Sequence, residues 1–314
     1  MRRLLALPLL AACLLAPGAA ASPAPSGGPT IAGCPVFPPD NPWNQRVDGL
    51  PVAKNSATLI RSIGLDAHFH ADFGSGMWDG GPIGIPYVVV GGHQRRVPVR
   101  FHYASESDRG RYPLPRDAPI EGGPQATGDR HTIVVDRDAC KAYELYDARP
   151  VRGGRSWRAG SGVVWNLRSN RLRPPRWTSA DAAGLPLLAG LARYDEVASG
   201  AIRHALRFTA PRTRTAFLWP ARHESGQSRS RALPPMGLRV RLKRSVSLRG
   251  LPRQARIIAL AMKRYGLMLA DNGAPWYVSG APDPRWIGRQ LHSLDRLSGR
   301  DFEVVSTAAL SRAR

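Results

Sequence analysis

The chain has 314 residues, 45 of them Lys or Arg against 23 Asp or Glu, for a formal charge of +22. That length buries a sizeable core as one large domain or two small ones, and 43% hydrophobic residues exclude a disordered or collagen-like chain. The charge suggests an acidic partner, such as an anionic polysaccharide or a phospholipid surface. Against nucleic acid, only Lys54, Lys141, Lys243 and Lys263 are lysines, and the arginines are scattered with no basic helix and no nucleic-acid motif.

In chain order, Arg2 and Arg3 head an apolar run that continues to Ala16, and Ala19-Ala20-Ala21 offers a small-residue cleavage site. This is the pattern of a secretory signal over 1–21, too short to span a bilayer as a mature helix. The expected product is secreted, extracellular or cell-wall associated. A lipoprotein anchored through Cys13, in Leu10-Ala11-Ala12-Cys13, is the weaker alternative. Without Cys13 the chain keeps Cys34 and Cys140, an even pair that an oxidising compartment would join. A flexible linker over 22–33 leads to a single β-rich domain over 34–305, followed by a disordered tail over 306–314. No transmembrane segment follows the leader, and a monomer is expected.

A Pro-rich arm over 34–43 precedes a short helix over 56–63, after which the texture becomes β. Residues 84–90 and 97–103 read as a hairpin, and 131–136 with 141–147 as a second hairpin whose turn holds Cys140. Further strands are expected over 162–167, 202–208, 215–219 and 238–242. The one long helix is expected over 252–270, from apolar spacing near 3.6 and the stop at Asp271-Asn272-Gly273. Many short alternating strands with one long helix predict a mainly β fold, a jelly-roll-like β-sandwich with that helix packed on it.

Several blocks carry a resemblance: Trp177-Thr-Ser-Ala-Asp-Ala-Ala-Gly-Leu-Pro186, Arg193-Tyr-Asp-Glu-Val197, His204-Ala-Leu-Arg-Phe208, Trp219-Pro-Ala-Arg-His223 and Ala270-Asp-Asn-Gly273. They are similar to those of a family of secreted bacterial proteins of unknown function. The resemblance covers most of 34–305 and implies a secreted single-unit domain. It brings no catalytic residue with it.

Function is therefore argued from chemistry. A glycosidase needs two carboxylates across one bond; Glu144, Asp147, Asp181 and Glu196 are the candidates. Alternation on the strand over 141–147 puts Glu144 on the face opposite Leu145, expected to be the outer one. Trp177, Trp276 and Trp286, with Asn272 and Arg285, lie in or beside turns and would hold a sugar by ring faces and polar rims. The reading is a secreted carbohydrate-active enzyme hydrolysing a polysaccharide or cell-wall polymer by paired carboxylates. A lyase on an anionic polymer, with His131, His204 or His223 as base and a neighbouring arginine for the uronate, is the first alternative. A non-catalytic polysaccharide- or cell-wall-binding protein is the second. No cofactor and no metal is expected: His68-Phe-His-Ala-Asp72 lacks the further ligand a metal centre needs. Neither Gly74-Ser-Gly76 nor Gly122-Gly123 has the spacing of a nucleophile elbow or a phosphate loop.

Overall fold

The computed structural model describes residues 27–78 and 80–310. The signal over 1–21 and the Cys13 site lie outside the described residues, as do the start of the linker and residues 311–314. The chain is mainly β, and no helix among the described residues is long and apolar enough to cross a membrane. The end of the linker is folded: Thr30–Ile31 pairs with Cys34–Pro35 across Ala32 and Gly33, both at positive φ.

A four-stranded sheet forms the middle of the molecule, in the order Ser161–Asn166, Lys141–Tyr146, Thr132–Asp136, Tyr87–Val90. Its hairpin pairs Lys141 with Asp136 and Leu145 with Thr132, as the alternation around Cys140 leads one to expect. Both faces are covered. Ile133, Val135, Ala142, Val163 and Trp165 join the main core, while Val134, Tyr143 and Leu145 join a second, smaller core with Tyr112, Leu114 and Trp157. That second core is closed by an outer sheet in the order Arg149–Val151, Ser156–Ala159, Val97–Phe101, Arg111–Tyr112. The hairpin expected over 84–103 is therefore not formed. Tyr87–Val90 runs parallel to Thr132–Asp136, whereas Val97–Phe101 runs parallel to Ser156–Ala159 in the other sheet.

A third, six-stranded sheet packs on the main core, in the order Phe302–Val304, Arg239–Leu242, Leu267–Asn272, Leu206–Ala210, Tyr277–Ser279, His70–Asp72. The long helix, Arg253–Arg264, covers it with Ile257, Ile258, Ala261 and Met262. It is shorter than its apolar spacing suggested. Gly266 at φ +73° ends it, and Leu267–Asn272 continues as strand, because a short apolar run fits a buried strand as well as a helix. A Cβ on Gly266 would strike the Val240 carbonyl oxygen, so only glycine makes this turn. The segment over 215–219 makes only isolated bridges, such as Phe217 with Met236.

Cys34 and Cys140 are disulfide-bonded, with Cα atoms 5.4 Å apart and a sequence separation of 106. The bond fixes the N-terminal arm to the central hairpin. A closed loop of this length is worth on the order of 4 kcal/mol in the chain-entropy account. Cys34→Ser is expected to lower the unfolding free energy by about 2–5 kcal/mol. Urea denaturation checks it, and reductant should shift the midpoint of the native chain but leave that of the variant in place.

Candidate functional site

Where the central sheet meets the six-stranded sheet, the space is plugged by the loop over 177–188. Its backbone is held from both sides. Glu144 accepts from the Leu187 and Leu188 amides, each at 2.9 Å, and from Trp165 Nε1 at 2.9 Å. Ser161 Oγ donates to the Ser179 carbonyl. His131 Nε2 meets the Ala180 carbonyl at 3.0 Å, and His223 Nδ1 meets the Ala182 carbonyl at 2.8 Å. Within the loop, Asp181 Oδ1 accepts from the Ala183 amide at 2.7 Å, while Oδ2 faces Arg207 Nη2 at 3.2 Å.

Beside the loop opens a cleft of about 440 Å³, lined by Tyr103, Glu106, Asp129, Tyr146, His223, Asp271 and Asn272 among others. Its lining contains neither Lys nor Arg. Asp271 is the second-to-last residue of the strand Leu267–Asn272, just after an irregularity in the strand's pairing between Phe208 and Thr209; such bulges bend a strand and re-aim its side chains. Its carboxylate lies 3.9 Å from Arg207 Nη2, so it and the Asp181 carboxylate are at most about 7 Å apart. Asp181 is sealed from solvent, whereas the Asp271 side chain keeps 22% of its surface.

The protonation of these groups follows from their surroundings. Burial pushes the Asp271 carboxyl up, and the nearby Asp129 charge adds to it, against the pull of Arg207. Asp181 moves the same way for the same first reason, opposed by Arg207 and reinforced by Asp271. Two carboxylates around one guanidinium thus favour keeping a proton between them. Arg207 itself is pushed up: burial disfavours its charge, and Asp181, Asp271 and Glu121 more than offset that. Below the cleft, burial alone would lower the buried His131, but Glu121 at 2.5 Å outweighs it and the pKa is pushed up to about 9. Both ring nitrogens face acceptors, so the geometry also requires an imidazolium. At His223 the Ala182 carbonyl can only accept, so Nδ1 carries a proton, and in the neutral ring Nε2 is the free acceptor.

The structure scatters much of the set picked out from sequence. Asp181, His223 and Asn272 line the 440 Å³ cleft, and Asn272 is fixed there by Thr213 and Ser225. Glu144 is fully buried instead of lying on an outer face, because the loop over 177–188 covers that side of the sheet. Glu196 and His204 form a buried pair at 3.0 Å, with Arg193 at 2.9 Å on the same carboxylate, away from any cleft. Asp147 is paired with Arg149 at the edge of the outer sheet. Trp276 stacks between Phe208 and Phe302, and Trp286 packs on Phe73 and Tyr194, so neither offers a face to a sugar. Trp177 lies under Arg173, and Arg285 pairs with Asp283 over Tyr194. Sequence reasoning missed Asp129, Asp271, Tyr103 and Tyr146 as neighbours. Asp271 read as part of a helix stop, and the others lie far apart in the chain. Among the described residues, no cluster of three or more His, Cys, Asp or Glu could hold a metal ion.

No family model matches the chain, and no curated protein and no solved structure matches it either.

The His131–Glu121 pair gives a pH test. A histidine raised in the fold stabilises fully below its unfolded pKa of about 6.5 and loses that contribution as pH rises through 9. The melting temperature is therefore expected to fall between pH 6.5 and 9.5. In Glu121→Gln the decline across that window should be largely lost, as differential scanning calorimetry at stepped pH would show.

Proposed function

We propose that the protein is a carbohydrate-active hydrolase that works outside the cytoplasm and cleaves a glycosidic bond in the 440 Å³ cleft. One observation carries the reading. In a chain with nearly two cations per carboxylate, this cleft collects Glu106, Asp129 and Asp271 and is lined by no Lys or Arg. Asp271, whose proton is favoured by burial, is the general acid that protonates the leaving oxygen. Asp129 is exposed and has no ion-pair partner among the described residues; it acts opposite as base or nucleophile while water adds to the anomeric carbon. Tyr103 and Tyr146 supply ring faces, and Asn272 an amide for a hydroxyl.

Asp181 supports the site from below: both its oxygens are engaged, and it anchors Arg207. The Cys34–Cys140 bond fits an oxidising compartment. A lyase has a base available in His223 Nε2. However, the cleft offers no guanidinium to neutralise a uronate, so the charge of the lining favours hydrolysis.

Incubation with neutral and anionic polysaccharides, following reducing ends and absorbance at 235 nm together, tests the proposal. Reducing ends without the unsaturated-uronate absorbance are expected. Asp271→Asn and Asp129→Asn should each lower kcat by about 10²–10⁴-fold with little change in melting temperature. The absorbance signal, or full activity in both variants, would sink this assignment.

A further inference from the structure

A second cleft, of about 740 Å³, opens on the other side of Asp129 and is lined by His70, Asp72, Trp78, Glu121 and Tyr277 among others. Asp129 lines both clefts, so the two are neighbours. The second cleft has its own apolar faces. Trp78 is 75% exposed, and Tyr277 stacks with His70 at 4.2 Å between ring centroids. These rings suit the C–H face of a sugar.

Charge in the second cleft is unevenly answered. Arg130 is the one arginine in the lining of the second cleft, and its guanidinium is spent on the carbonyls of Ala148, Pro124 and Ala126. The Asp72 side chain has no hydrogen bond and no ion pair among the described residues; neighbouring protein desolvates it and pushes its pKa up, against the charges of His70 and Arg207 farther off. Many surface carboxylates of this chain do have an arginine, as Asp48, Asp66, Asp147 and Asp283 show. A side-chain carboxylate with no direct partner in a concave wall is a place for a cation brought by the ligand. Hydrolysis needs two carboxylates; Asp72 is surplus to that chemistry.

We propose that the 740 Å³ cleft is a substrate subsite for an amine-bearing glycan, an amino-sugar chain at least partly free of N-acetyl groups, with Asp72 receiving the ammonium and Trp78 and Tyr277 receiving the ring. This rests on the hydrolase reading for the neighbouring cleft, and takes the two adjacent clefts as one groove in which the polymer runs past Asp129, so that internal bonds are cut.

Binding separates the two ideas. In the full chain carrying Asp271→Asn, titration calorimetry compares a glucosamine hexamer, its fully N-acetylated counterpart and hexalysine. The glucosamine hexamer is expected to bind roughly 10-fold more tightly than the acetylated one, the scale of one charge-assisted contact. Asp72→Asn should erase that preference while leaving affinity for the acetylated hexamer unchanged, which also shows that the variant is folded. Trp78→Ala should weaken both hexamers together. Equal affinity for the two hexamers, absence of glucosamine binding, or tighter binding of hexalysine would overturn the amine-glycan subsite. Reducing-end release from neutral polymers by the native chain reports separately on hydrolysis, so either idea can fail without the other.

Discussion

Arg207 is a guanidinium placed where water does not reach, and the geometry of the candidate site follows from how its charge is answered. Taking such an ion out of water costs several kcal/mol unless partners surround it. Here Nη2 faces Asp181 at 3.2 Å and Asp271 at 3.9 Å, and Nη1 donates to Ser279 Oγ at 2.9 Å. Those partners come from the loop over 177–188 and from the strands Leu267–Asn272 and Tyr277–Ser279, while Arg207 itself sits on Leu206–Ala210. One charge thus joins three neighbouring strands to the loop that plugs the gap between sheets. A shift of the loop would take Asp181 from Arg207 and the Leu187 and Leu188 amides from Glu144, leaving both buried charges with fewer partners, which buried polar networks make costly.

The same arrangement sets the chemistry available. Asp181 has both oxygens engaged and no exposed surface, so it can fix Arg207 but cannot touch a substrate. Asp271 reaches the cleft, feels the same guanidinium from farther away, and is pushed toward its protonated form by burial and by Asp129. Burial pushes both carboxyls up, and what separates the two aspartates is access: Asp181 is sealed against Arg207, whereas Asp271 reaches the cleft. His131 and Glu121 do similar work below the floor, where a compact ion pair holds the Ala180 carbonyl.

How much of this was legible in the sequence depends on whether the signal was local. Alternation and the turn at Cys140 were enough for the central hairpin, and two remaining cysteines were enough for the disulfide. Parallel pairing was not readable, because nothing in Tyr87–Val90 states that its neighbour lies more than forty residues on. Glu144 was misplaced for a related reason. Strand parity gives the side on which a residue stands, but not whether another loop later covers that side. The tryptophans chosen as sugar platforms were near turns, yet Trp276 turns inward between two phenylalanines, while Trp78 and the tyrosines do line the clefts. The carboxylates of the cleft, Asp129 and Asp271, come from segments 142 positions apart. Only the packing of one sheet on another brings them together.

Net charge illustrates the same division between the chain as a whole and its site. The value of +22 favours an anionic partner when read alone. But the arginines that create it are largely at the surface, many of them at ion pairs such as Arg46 with Asp48 and Arg300 with Asp66. At physiological ionic strength their field decays over about 8 Å. A ligand seated in the groove is within contact distance of carboxylates and separated by protein and salt from most of the arginines. Contacts at 3 to 4 Å in a partly desolvated wall outweigh screened charges farther away. On the proposed reading a ligand is therefore selected by the lining of the clefts, and the net charge of the chain does not fix the sign of what binds there.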